Sequence, residues 1–165
     1  MNRILENGAV DHQIYTDDQR IRRDQTIWTT VQGVLAPLQF LIFGLSLILL
    51  VRYLSTGQGY EIATWSVLLK TVILYTIMVT GAIWEKVVFG QYLLAPSFFW
   101  EDVFSFFVIA AHTIYVIALF ANFWEPVILV YIALIAYFLY TINAVQFIWK
   151  FRLARLSINK SQVAA

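Results

Sequence analysis

Four long apolar runs, broken by short polar or aromatic connections, organise this chain: residues 26–51, 63–84, 103–123 and 126–149. At 1.5 Å per residue each is long enough to cross a hydrocarbon core of about 30 Å. Inside a bilayer no water is available for backbone N–H and C=O groups, so such runs must be helices. The alternation of apolar and polar positions that a barrel wall requires is missing. The pattern therefore predicts an all-α protein, a four-helix transmembrane bundle occupying residues 26–149. It is flanked by a polar N-terminal tail (1–25) and a basic C-terminal tail (150–165).

Tryptophan placement agrees with those boundaries. Trp28, Trp65, Trp84, Trp100, Trp124 and Trp149 all fall near a predicted helix end, where the amphipathic indole lies at headgroup level. Orientation follows from basic residues near the helix ends. Arg20, Arg22 and Arg23 precede the first run, Lys150, Arg152, Arg155 and Lys160 follow the last, and Lys86 lies in the central connection. With four spans these share one side, leaving Arg52 on the other, so both termini are expected to be cytoplasmic. Asn122-Phe123-Trp124-Glu125-Pro126 is a tight connection that makes the third and fourth runs antiparallel neighbours, and Pro37 should kink the first.

Composition narrows the function classes. The 165 residues are 61% hydrophobic and 13% charged, with mean hydropathy +0.73, outside the range of a water-soluble domain. With no cysteine there are no disulfides, thiolate metal sites or cysteine nucleophiles. No basic patch with interleaved aromatics suggests nucleic acid, and no glycine-rich loop suggests phosphate. The N-terminal twenty residues lack the apolar core of a signal peptide and are expected to be retained. His12 lies in this tail, without a sign of catalytic use.

The candidate chemistry concentrates between Gly81 and His112, in GAIWEKVVFGQYLLAPSFFWEDVFSFFVIAAH. Glu85, Glu101 and Asp102 lie at one membrane surface, with His112 roughly 15 Å deeper along its helix. Such carboxyls are either ordinary interface charges, Glu101 and Asp102 suiting a helix start, or groups whose apolar setting fits them for acid–base work. Polar residues at depth are costly and each needs a partner or a purpose. Lys70 either snorkels to the outer interface or pairs inside the bundle, for example with a ligand carboxylate. Gln39, Asn143 and Gln146 are read first as interhelical hydrogen-bonding groups. His112 is a satisfied neutral imidazole, a proton-transfer group, or an axial ligand to a metal already held in a tetrapyrrole. A single bundle histidine makes no metal site of the protein's own.

Three segments carry a resemblance: WTTVQGVLAPLQFLIF from Trp28, LLKTVILYTIMVTGAIWEKVVFGQYLLAPSFFWEDVFS from Leu68 and INAVQFIWKFRLARL from Ile142. From about Arg20 to about Leu156 the chain resembles the bacterial 2-vinyl (3-vinyl) bacteriochlorophyllide hydratases. The resemblance implies a hydro-lyase of bacteriochlorophyll biosynthesis. It would add water to the 3-vinyl group of chlorophyllide or bacteriochlorophyllide, giving a 3-(1-hydroxyethyl) group, in the bacterial cytoplasmic or intracytoplasmic photosynthetic membrane. Other pathway enzymes are conceivable partners, and no cofactor is expected, since the magnesium belongs to the pigment. Set against that chemistry, Glu85, Glu101, Asp102 and His112 are the candidate catalytic groups. Gln39, Lys70, Lys86 and Asn143 are the candidate substrate contacts, and His112 is also the first candidate for the magnesium. The competing readings are a non-catalytic pigment-binding protein and, ranked last, a small proton channel or transporter.

Overall fold

The computed structural model describes residues 14–122 and 124–163, with side chains as far as Arg152. The first thirteen residues, His12 among them, lie outside the described residues, as do Phe123 and the side chains of Arg155 and Lys160. Five helices follow in order: α1 (Asp17–Gln25), α2 (Ile27–Thr56), α3 (Tyr60–Phe89), α4 (Phe99–Ala121) and α5 (Pro126–Val163). No strand occurs among the described residues. Helices α2, α3, α4 and the Pro126–Arg152 part of α5 are each long and apolar enough to cross a membrane. The protein is a multi-pass, all-α membrane protein.

Helix α2 runs past its apolar stretch to Thr56, α3 exceeds its own at both ends, α4 begins early at Phe99 and α5 continues to Val163, because interfacial polar residues continue a helix as well as apolar ones do. The turn between α2 and α3 shrinks to Gly57-Gln58-Gly59, with Gly57 at φ 70 accepting the left-handed conformation that ends α2. Gly90, at φ 88, ends α3 in the same way. Helix α4 begins at Phe99, so Glu101 and Asp102 belong to its first turn rather than to the connection. Pro126 opens α5, where its missing N–H costs nothing. Helix α2 runs through Pro37 without a break in helical assignment.

Packing divides the spans into two hairpins. Helix α2 lies close along α3, and α4 close along α5, whereas α3–α4 and α2–α5 approach less closely. Small residues permit the close approach within a hairpin: Ser46 and Ser66 hydrogen-bond at 2.7 Å between α2 and α3, and Ala118 and Ala133 are buried with Tyr115 and Leu129 between α4 and α5. Between hairpins the wider seam is filled by large side chains, with Phe43 of α2 lying 5.2 Å from Tyr137 and 5.0 Å from Tyr140 of α5, ring to ring. Tyr137 also shares a 2.6 Å hydrogen bond with Ser46.

Helix α1 buries none of its residues, in keeping with a solvated segment, but it is anchored on either side. Thr16 and Gln19 form a reciprocal capping box at the start of α1. Just before it, Tyr15 is buried against Trp84, Phe89 and Phe98. Thr29 then ties the segment down, donating to Arg23 O at 2.6 Å and accepting from Trp84 Nε1 at 2.9 Å. Trp84 is therefore a packed, hydrogen-bonded residue.

Candidate active site

The last turn of α3, the connection 90–98 and the first turn of α4 form one acidic end. Glu85 and Asp102 are buried there, facing each other within side-chain hydrogen-bonding reach. A hydrogen bond between two carboxyl groups requires a proton on one of them, so two groups this close are able to share one. The connection wraps over it and supplies two backbone donors: Leu94 N–H to Asp102 Oδ2 at 2.7 Å and Ala95 N–H to Glu85 Oε2 at 3.2 Å. Leu94 takes a left-handed conformation, φ 61, to make its bond. That is a strained choice for a branched residue, and here it aims an N–H into the acid pair.

Glu101 is held apart from that unit. Its carboxylate forms an ion pair with Lys150 of α5 at 3.2 Å. Its backbone oxygen receives Asn143 Nδ2 at 2.9 Å and Ser105 Oγ at 2.9 Å, with Ser105 Oγ also 3.2 Å from Asn143 Oδ1. Asn143 thus joins α4 to α5 and orients the turn that carries Asp102. Lys86 donates to Gly90 O at 2.7 Å and lies 5.3 Å from the Tyr92 ring centroid, bracing the start of the connection.

Deeper in the seam is a second polar group. Lys70 and His112 are both fully enclosed, with Lys70 Nζ 3.1 Å from His112 Nε2. His112 Nδ1 donates to Val108 O at 2.8 Å, which leaves Nε2 as the acceptor and Lys70 as the donor. Lys70 therefore points inward and does not snorkel. His112 does not meet the carboxylates: it stands ten positions beyond Asp102 in α4, about 15 Å along the axis. Both its nitrogens are engaged, so ligation of a pigment magnesium would need Lys70 to let go. Gln39 is buried in α2, and its Nε2 has no hydrogen-bond partner among the described residues; the same holds for Gln146 Oε1.

Three elements of this site escape a reading by residue type. Lys150 stands seven positions after Asn143, hence on the same face of α5, and that spacing was the available signal for its pairing with Glu101. The Leu94 and Ala95 donors are backbone groups with no signature in composition. Tyr15 lay in an apparently polar tail, and only its aromatic partners on α3 and the connection reveal its role.

Together these features define a membrane protein with four apolar helices long enough to span and a buried pair of carboxyl groups at one end of the bundle, an arrangement suited to acid–base chemistry. The family model for 2-vinyl bacteriochlorophyllide hydratase matches residues 15–153. Two curated relatives carry that same name: one from Rhodobacter capsulatus, 66% identical over 144 residues, covering 87% of this chain and 83% of its own, and one from Cereibacter sphaeroides, 63% identical over 156 residues, covering 94% and 96%. The chain belongs to the 2-vinyl bacteriochlorophyllide hydratase family. No solved structure matches it. A non-catalytic pigment carrier is not favoured by relatives that are named as hydratases.

Proposed function

We propose that the protein is a bacteriochlorophyllide hydratase that adds water across the vinyl group of its pigment by acid–base catalysis at Glu85 and Asp102. The observation that carries this reading is the meeting of two buried carboxyl groups from α3 and α4, each held by a backbone N–H, of which one can release a proton while the other accepts one.

The balance of the reaction fits two such groups. A proton passes to the terminal vinyl carbon, the π bond breaks, and the conjugated macrocycle spreads the resulting positive charge from the adjacent carbon. A water oxygen bonds to that carbon, and the proton it sheds goes to the second carboxylate. One water is consumed and the pair ends with the proton count it began with. The sequence of steps calls for no redox group or carrier, and the magnesium travels with the substrate.

Asp102 receives the shorter backbone hydrogen bond, 2.7 Å against 3.2 Å at Glu85, so it is the better-supported anion. Glu85 is accordingly the proton donor and Asp102 the base. Glu101, neutralised by Lys150, sets the geometry of the turn. His112 takes no direct part in this scheme. The acidic end faces the cytoplasm, by the bias of basic residues toward it, and the membrane is the bacterial photosynthetic or cytoplasmic membrane.

The test is incubation of membranes containing the protein with a vinyl pigment such as chlorophyllide a in heavy water. The expected product is heavier by the elements of water and carries deuterium on the new methyl group. Pigment recovered unchanged, with folded protein and each vinyl pigment of the class tried, would overturn the reading.

A further inference from the structure

We propose that the seam between the two hairpins is the slot for a flat, carboxylate-bearing macrocycle, and that Lys70 takes its carboxylate while the vinyl group meets Glu85 and Asp102. The inference rests on the hydratase reading above and adds to it the residue that selects the free-acid form of the pigment.

Lys70 is unlike a lysine that has found its partners. It is 0% exposed, and its one hydrogen-bond acceptor among the described residues is His112 Nε2. The rest of its surroundings are ring faces, with Nζ 3.7 Å from the Tyr140 centroid and 5.6 Å from that of Tyr137. An amine nitrogen carries two or three N–H groups according to its protonation, so in either state at least one lacks an oxygen or nitrogen acceptor. The ion pairs of the described residues are Arg23–Asp24 and Lys150–Glu101, neither of which involves it. A carboxylate supplies both the missing acceptors and the opposite charge, in surroundings where each counts for more than in water.

A second, independent observation points into the same seam. Gln39, 2% exposed, leaves its Nε2 unpaired. It lies one turn from Phe43, which packs on Tyr140, and so it occupies a level between Lys70 and the acidic end. A buried amide N–H without a partner is costly and marks a place for an acceptor that a ligand can bring. The seam is also the part of the bundle where packing comes from rings rather than from backbone approach. Aromatic faces of this kind accept a flat conjugated ring in place of one another. The separation of about 15 Å between the acid pair and His112 along α4 suits a tetrapyrrole with its vinyl group at one end and its acid side chain extended toward the other. Lys70 is enclosed, so the hairpins part to admit the ring. A lysine that merely held two helices in register would be indifferent to whether the pigment is an acid or an ester.

The experiment uses the full-length protein in lipid nanodiscs with a vinyl bacteriochlorophyllide and its methyl ester, reading KM, kcat and, by quenching of tryptophan fluorescence, binding. For the wild type the ester is expected to show KM raised about 30-fold or more over the acid, with kcat little changed. Lys70→Met should raise the acid's KM to the ester's value and leave the ester's unmoved, while Lys70→Arg keeps a preference for the acid. If Lys70→Met does not fold, Lys70→Gln serves, with the same loss of preference expected. Equal KM for acid and ester in the wild type, or a preference that survives loss of the charge, overturns the assignment. Acid-selective binding without turnover overturns the hydratase reading and leaves Lys70 standing; turnover without selectivity does the reverse.

Discussion

Asp102 Oδ2 and Glu85 Oε2 accept hydrogen bonds from consecutive backbone N–H groups, those of Leu94 at 2.7 Å and Ala95 at 3.2 Å. One short connection therefore grips both members of a carboxyl pair whose residues come from different helices.

Removing either proton-carrying group should abolish most turnover. Glu85→Gln and Asp102→Asn keep shape and hydrogen bonding but lose proton transfer, so kcat should fall about 10²–10⁴-fold with KM changed little. Steady-state assays on purified variants check this. A larger loss in Glu101→Gln than in both of the others would move the acid–base role to Glu101.

Lys150 and Glu101 form a partly exposed ion pair, with side chains 26% and 10% accessible. Lys150→Met should cost about 1 kcal/mol of stability, above the usual exposed pair but short of a fully buried one. Thermal unfolding in detergent measures it. The double variant Lys150→Met with Glu101→Gln should recover part of that loss, since it leaves no charge unpaired.

Tyr15 offers a pH test outside the spans. Burial pushes its phenol up from the usual 10.0 to about 12, against a smaller lowering by Arg23. The folded state thus holds the phenolic proton more tightly than the unfolded chain does. The resulting stabilisation is fully present below about pH 10 and is lost as pH rises through about 12. Comparing stability against alkaline pH for wild type and Tyr15→Phe should show the difference confined to that window. Tyr15→Ala should loosen α1 at every pH, seen as faster hydrogen exchange over Asp17–Gln25.

The Ser46–Tyr137 hydrogen bond, 2.6 Å across the seam, predicts a measurable coupling between hairpins. A double-mutant cycle with Ser46→Ala and Tyr137→Phe should give an interaction of about 0.6 kcal/mol and no more than roughly 1.7, the range of membrane hydrogen bonds. A coupling of zero would mean that Ser66, 2.7 Å from Ser46, takes over the bond.

The sequence by itself determined that this is a four-span helical protein, because a bilayer allows an apolar run of twenty or more residues little else. It also placed Glu85, Glu101 and Asp102 at one end, since Trp84-Glu85 and Trp100-Glu101-Asp102 each sit at a span's edge. Its long middle segment, from Leu68, carried the family. What only the tertiary structure decided is which of these polar groups meet. Whether Lys70 reaches outward or inward depends on the partner that α4 presents, and His112 is forty-two positions away in sequence. The division of three carboxyls into a facing pair and a salt-bridged third depends on Lys150, carried by another helix. The burial of Tyr15 depends on rings from α3 and the 90–98 connection. Hydropathy sums over neighbours along the chain and so finds membrane spans. Pairing between helices depends on their rotation and register, which in a uniformly apolar sequence leave almost no periodic trace.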